Sequence, residues 1–398
     1  MAVVKGFRGI LYTGRHSEVV APPYDVIDPQ MQRALYEKHP HNCVRLILSK
    51  EPGESRYADS ARTFRDWLDK NILAMDEKPA VYTYFQDFES GGKKFTRKGF
   101  IARVRIEDFE KGVVLAHEQT FKKHKDDRLK LTRACEANMS QVFCVYSDPQ
   151  MAVEKTLEAA GGEHVAEVDF DGVKNTVRRI CDPDALSAVS GLMADKKLLI
   201  ADGHHRYETS INYRNLRGGE GGSEYVMMFL CGAESEGLIV EPTHRVIRNF
   251  GEKPAGALAG ALQNRFNCRE IPPRGGEKLR GEEVMFVYGR GKKAIVFSPP
   301  DGWRNYKSMG VFTLRDIVIE KIIKEEMKLG EPDIHFTKSR DEVLDIAEAD
   351  GGAACFIMPK PRIADIMDAA DDGVRMPQKT TYFYPKILSG LVMNPLWD

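Results

Sequence analysis

Along the chain the apolar positions switch between a spacing of three to four residues and a spacing of two, and these switches predict most of the elements. Helical spacing predicts helices over 29–38, 55–73, 129–138, 207–216, 255–266, 313–329, 341–349 and 363–370. In 55–73 the repeating residues are Tyr57, Ala61, Phe64, Trp67 and Leu68, and in 313–329 they are Leu314, Ile317, Val318, Ile322 and Met327, both read as packing stripes. Strands are expected over 3–12, 42–48, 81–88, 94–106, 141–146, 225–231, 238–247, 283–288, 293–297 and 353–358. Gly91-Gly92 and the run 289–291 predict hairpins. The stretch 149–194 reads as helices with one short strand. Ala21 to Ile27 is expected to be extended, because Pro22 and Pro23 fit neither a helix nor a central strand.

Beyond Phe250 the texture becomes helices alternating with short strands, so a mixed α/β chain of two lobes is expected, 1–250 and 251–398. The tail from Met376 to Lys386 is unusually aromatic and basic. It is expected to dock back on the first lobe, where Lys379 and Lys386 would reach bound phosphate.

The densest chemistry lies in 197–210, KLLIADGHHRYETS. Four apolar residues, 198–201, form a short buried strand, Asp202 is an N-cap type, and Gly203 lets backbone approach a ligand. The helix N-terminus so formed carries His204, His205 and Arg206 at its positive end, a combination suited to phosphate. The bland alternative is an ordinary capped helix whose histidines pair with nearby carbonyls.

Two further stretches collect polar groups. His117, Glu118 and Thr120 are followed by Asp126, Asp127 and Arg128, with a cationic run 122–125 between them that reads as a solvated face. Glu118 follows an apolar run, where a strand end would present it to a cleft. The strand 238–247 delivers Thr243, His244 and Arg245 side by side. Tyr24 and Asp25 on the proline segment, and Arg45 in the middle of the strand 42–48, are candidates for substrate binding, since arginine pairs bidentately with carboxylate or phosphate.

Composition narrows the classes. The 398 residues hold 58 Lys plus Arg against 59 Asp plus Glu, a net charge of -1, which offers no basic excess for a nucleic-acid partner. Seven cysteines form no CxxC pair and are odd in number, which argues against a disulfide framework or zinc ribbon and for reduced thiols. No stretch reaches the run of 18 or more apolar residues that a membrane helix needs, so a cytoplasmic protein is expected.

Three sets of motifs resemble one family along essentially the whole chain: APPYDVI at 21–27, HEQT with DDR at 117–120 and 126–128, and ADGHHR with EPTHR at 201–206 and 241–245. They resemble the bacterial and archaeal family known as domain of unknown function 1015, and 376–391 is similar to that family's ending. The DGHHR element also resembles the nucleotide-phosphate motif of the ParB/sulfiredoxin-like superfamily, which includes free-serine kinases and CTP-binding partition proteins. The resemblance implies a ParB/sulfiredoxin-like core with a mixed sheet, large insertions and a C-terminal α/β extension. It also implies transfer of phosphate from ATP, or ADP, to free L-serine, giving O-phospho-L-serine. An ENxxR-type second phosphate motif, typical of partition proteins, is not evident near Asn138.

For such a kinase the residues divide by role. Gly203, His204, His205, Arg206, Arg128 and Arg245 would hold the nucleotide phosphates, and Asp202 would bind Mg²⁺ or move a proton with His204. Glu118 would activate the serine hydroxyl. Tyr24, Asp25, Arg45, His117, Thr243 and His244 would hold the substrate. A homodimer is compatible with this reading. The competitors are a metal-dependent phosphohydrolase or nuclease, with Asp202, His204 and His205 on the metal, and a nucleotide-sensing module without turnover.

Overall fold

The structure is a computed structural model, and it describes residues 1–14, 17–118, 122–300, 309–377 and 379–398, with the side chains of 122–124 left aside. Thr120 of the HEQT motif and the neighbouring Phe121 lie outside the described residues. The fold is mixed α/β. The chain divides into two compact units, the first made of Met1–Ala116, Thr120–Ile239 and Pro385–Asp398, the second of His117–Gln119 and Val240–Tyr384.

The first unit is built on a nine-stranded sheet: β1 (Val4–Lys5), β2 (Val81–Ser90), β3 (Lys93–Arg105), β4 (Val114–Ala116), β5 (Val142–Tyr146), β6 (Glu163–Phe170), β7 (Val173–Ile180), β8 (Leu198–Asp202) and β9 (Tyr225–Gly232). Its order is β4-β8-β5-β9-β3-β2-β7-β6, with β1 beside β3. The pairs β4/β8 and β5/β9 are parallel and the others antiparallel, so the sheet is mixed. Every residue of β5 is buried, as expected for a strand covered on both faces. One face packs Val142, Cys144, Leu198, Ile200, Met228 and Leu230 against Val153 and Leu157 of the helix Ala152–Ala160, and Val189 and Met193 of the helix Pro183–Met193.

Three local expectations are corrected. The stretch 42–48 is a helical turn, Val44–Ile47, and not a strand. The Asn42 side chain accepts from the Val44 N–H at 2.9 Å and donates to the Glu18 and Val20 carbonyls, so the backbone is turned before a ladder can start. The stretch 149–194 holds the hairpin β6/β7 where one strand was expected, because Asp171 and Gly172 both adopt positive φ, 51° and 72°, the requirement of a tight hairpin turn. The opening strand is broken into Val4–Lys5 and Ile10–Tyr12, the second pairing with Leu73–Met75.

In the second unit a six-stranded antiparallel sheet runs in the order Asn267–Glu270, Lys293–Ser298, Val284–Tyr288, Ala354–Ile357, His244–Ile247 and Ile334–Thr337. Helices Glu252–Arg265, Thr313–Glu326, Arg340–Ala349 and Ile363–Asp371 accompany it. The expected strand 238–247 is interrupted at Thr243, giving Ile239–Pro242 and His244–Ile247. Among the described residues no helix is long and apolar enough to cross a membrane, and all seven cysteines are free thiols.

Candidate functional site

Strand β8 ends on Asp202, and the helix α1 (His204–Leu216) begins after Gly203, whose φ is 96°. The β8/β5 register shifts just before this point: Ile200 faces Cys144 but Asp202 faces Phe143, so Ala201 is the extra residue of a bulge. A bulge sharpens the local twist and re-aims the next side chain. The Asp202 carboxylate accordingly does not cap α1, which has no side-chain cap, and this corrects the role expected from its position.

Asp202 instead lies between two cations. Its Oδ2 accepts from Arg206 Nη2 at 2.8 Å, and its Oδ1 accepts from Lys386 Nζ at 3.0 Å. All three side chains are less than one-fifth exposed, at 16%, 11% and 17%. Burial by itself would raise the carboxyl, but Lys386, Arg206 and His204 together outweigh it and hold Asp202 well below the usual carboxylate range. The three charges sum to +1 at the positive end of a helix, which favours an added anion.

The surroundings fix this cluster. Arg206 also donates to the Gln141 carbonyl. Tyr207, fully buried, donates to the Glu107 carbonyl at 2.6 Å and accepts from the Glu107 N–H at 3.0 Å, pinning the first turn of α1 to the core. Lys386 is carried by the returning C-terminal segment. Arg97 donates to the Pro385 carbonyl at 2.5 Å, Gln86 Nε2 to the Lys386 carbonyl at 3.1 Å, and Gln141 Nε2 to the Leu388 carbonyl at 3.0 Å. Arg97 is fully buried, and desolvation pulls it down to about 10.

Gly203 is required here twice over. Its φ lies in the left-handed region, and an added Cβ would sit 2.9 Å from Cζ and Nε of Arg206. Gly203→Ala is expected to cost about 1–2 kcal/mol through backbone strain and to push the Arg206 guanidinium off Asp202. A urea midpoint lowered relative to wild type checks the first effect, and loss of the Arg206–Asp202 contact in a structure of the variant checks the second.

Beside Arg206 lies a cavity with about 470 Å³ of empty space, part of it open to solvent, lined by Tyr24, Arg128, Ser140, Arg206, Thr209 and Ser210 among others. Arg128 is buried, donates to Asp127 Oδ2 and to the Ile47 carbonyl, and stands 4.1 Å from the Tyr24 ring centroid. Burial pushes the Tyr24 phenol up to about 12, with Arg128 opposing it. The first unit thus brings together Asp202, Gly203, Arg206, Arg128 and Tyr24, with His204 buried and His205 half-buried on the first turn of α1. Asp25 is exposed, and Arg45 turns to Tyr36, donating to its carbonyl at 2.9 Å and lying 4.2 Å from its ring.

His117, Glu118, Thr243, His244 and Arg245 belong to the second unit. His117 is fully buried, its Nε2 lies 3.0 Å from Thr381 Oγ1, and the Glu118 carboxylate lies 4.0 Å away and is one-quarter exposed. His244 Nδ1 accepts from the Met358 N–H at 3.0 Å; burial first, then Arg245 and Arg340, pull its pKa down to about 4, so it is neutral at physiological pH. Arg245 is buried and donates through Nη1 to the Thr243 carbonyl at 2.8 Å, while its Nη2 makes no hydrogen bond among the described residues.

Sequence reasoning missed Arg97 and Gln141. Arg97 left no usable trace, since on β3 the buried Phe100, Ala102 and Val104 share parity with the exposed Thr96, while Arg97 shares parity with the exposed Lys93 and Arg105 as well as with the buried Ile101. Gln141 left none either. Asp127, singled out in the DDR motif without a role, accepts from Arg56 Nη2 at 2.7 Å and Tyr57 Oη at 2.8 Å as well as from Arg128. Among the described residues no cluster of three or more His, Cys, Asp or Glu is arranged to hold a metal ion.

Among curated proteins none matches the chain in sequence. Among solved structures, a free serine kinase in complex with AMP is similar at 14% identity and a TM-score of 0.38, covering 72% of this chain and 89% of that one. A conserved hypothetical protein from Pyrococcus furiosus is similar at 14% identity and a TM-score of 0.36, over 69% and 89% of the two chains. SbnI from Staphylococcus aureus, with a C-terminal truncation, gives 11% identity and a TM-score of 0.36 over 74% and 87%. The sequence pattern of one family matches residues 4–316, a span that holds all the motifs from APPYDVI to EPTHR, and the chain therefore belongs to the family described as Protein of unknown function (DUF1015).

Proposed function

We propose that the chain is a phosphotransferase that moves a phosphoryl group from ATP or ADP to the hydroxyl of free L-serine. The observation that supports the phosphate half is the Lys386–Asp202–Arg206 cluster at the junction of β8 and α1, which has a surplus positive charge and a glycine that allows close backbone approach. The serine half rests on the motif resemblance alone.

In this reading Arg206, His204, His205 and the backbone at Gly203 hold phosphate oxygens, and Arg128 extends the positive surface along the cavity beside Tyr24. Arg245, whose buried Nη2 has no hydrogen-bond partner among the described residues, is a candidate anion-binding group of the second unit. Mg²⁺ is commonly held by one or two carboxylates together with substrate phosphates. Asp202, a single carboxylate, fits such a site only with nucleotide oxygens completing it, and the ion would supply charge neutralisation at the phosphates. Glu118 is the proposed base. Asp25 is exposed, and Arg45 donates through Nη2 to the Tyr36 carbonyl while its buried Nε makes no hydrogen bond among the described residues, so both stay in the proposal as candidate substrate contacts.

The test is incubation with ATP or ADP, Mg²⁺ and each free amino acid, with O-phospho-L-serine followed by mass spectrometry. Serine-dependent product is expected, and Glu118→Gln is expected to bind nucleotide normally while losing roughly 10²–10⁴ in turnover. Phosphate release that ignores serine would sink the kinase reading in favour of a hydrolase, and nucleotide binding without any product would favour a sensing module.

A further inference from the structure

We infer that Lys386, which pairs with Asp202, is a phosphate-positioning residue of the β8–α1 site that turns to the polyphosphate of a bound nucleotide. This rests on the nucleotide-dependent reading above and adds to it a residue that lies 70 positions beyond the family match, which ends at 316.

The first ground is how the residue is delivered. Lys386 meets Asp202 across 184 residues of sequence, and the backbone around it is tied down on both sides. Arg97 and Gln86 bond the carbonyls of Pro385 and Lys386, Gln141 bonds that of Leu388, and Ser389 exchanges backbone hydrogen bonds with Ala21 at 2.8 and 3.2 Å. An ion pair made only for stability would contribute little for so much ordering, because localising a lysine side chain costs rotamer entropy.

The second ground is the division of labour between the cations. Arg206 is held by Asp202 and by the Gln141 carbonyl together, so its planar group has a fixed place. Lys386 is a point charge on a flexible four-carbon stem and can change partner with no backbone movement. When it turns away, Asp202 keeps Arg206 and is not left as an unpaired, largely buried carboxylate. A net +1 cluster at a helix N-terminus is therefore arranged to release one cation to an anion.

The test uses the full chain, titrated with ATP, ADP and adenosine by calorimetry. Lys386→Ala is expected to weaken ATP and ADP roughly ten- to a hundredfold, the size of a lost charge-assisted contact, and to leave adenosine unchanged. Lys386→Arg should recover most of the loss, and Lys386→Met, which keeps the stem, should behave like the alanine variant and serves if that variant does not fold. A wild-type chain that binds no nucleotide overturns both the function and this assignment. Wild-type binding that the alanine and methionine variants reproduce, or an equal loss for adenosine, overturns the Lys386 assignment alone.

Discussion

Arg97→Ala is expected to lower the stability of the chain by about 3–5 kcal/mol, more than any other single substitution discussed, because it opens a cavity and leaves buried acceptors unpaired. Arg97 is fully buried, and its guanidinium donates to Gln86 Oε1 and to the Pro385 carbonyl while lying 4.9 Å from the Phe143 ring. Arg97→Met separates the causes, since it fills most of the volume and removes the desolvated charge but still leaves both oxygens without a donor. Urea unfolding of the two variants should place methionine between wild type and alanine. A methionine variant as stable as wild type would show that the arginine is not needed to hold the returning segment. Because that segment carries Lys386, loss of Arg97 is also expected to weaken nucleotide binding as Lys386→Ala does.

Asp202→Asn removes the charge that separates Arg206 from Lys386 and retains the shape. A loss of about 3 kcal/mol is expected at neutral pH, the size of breaking a buried ion cluster by removing one member. The pH dependence gives a second reading. The folded carboxyl is held below its unfolded value near 3.9, so its contribution is complete above that value and disappears as pH falls through the folded one. Stability curves of wild type and variant should therefore be parallel from pH 7 down to about 4 and converge below it. A gap that persists at pH 2 would mean the difference comes from packing and not from charge. If the phosphotransferase reading holds, the same substitution should cost roughly a hundredfold or more in turnover.

The hairpins were legible because the turn itself is written in the sequence: Gly91 and Gly92 adopt φ of 57° and 74°, as a tight β2/β3 turn demands. The strand–glycine–helix order of 198–216 was legible for the same reason, an apolar run stopping at a residue free to take positive φ. The turn Val44–Ile47 was not. Val44, Leu46 and Ile47 are all buried, so a short apolar run carried no period, and the Asn42 side chain decided its conformation. At Asp202 local chemistry gave a good cap residue, and a register shift against β5 aimed it elsewhere.

By itself the sequence determined the family, the existence of most helices and strands, and the cluster of Asp202 to Arg206, because each depends on residues within a few positions of one another. Only the tertiary structure decided that Asp202 pairs with Lys386, that a buried Arg97 grips Pro385, and that Gln141 receives Arg206 and donates to Leu388. Those partners are set by strand order and by the bulge in β8, which fix spatial neighbours over separations of 65 to 288 residues, where hydrophobic period and local propensity carry no information.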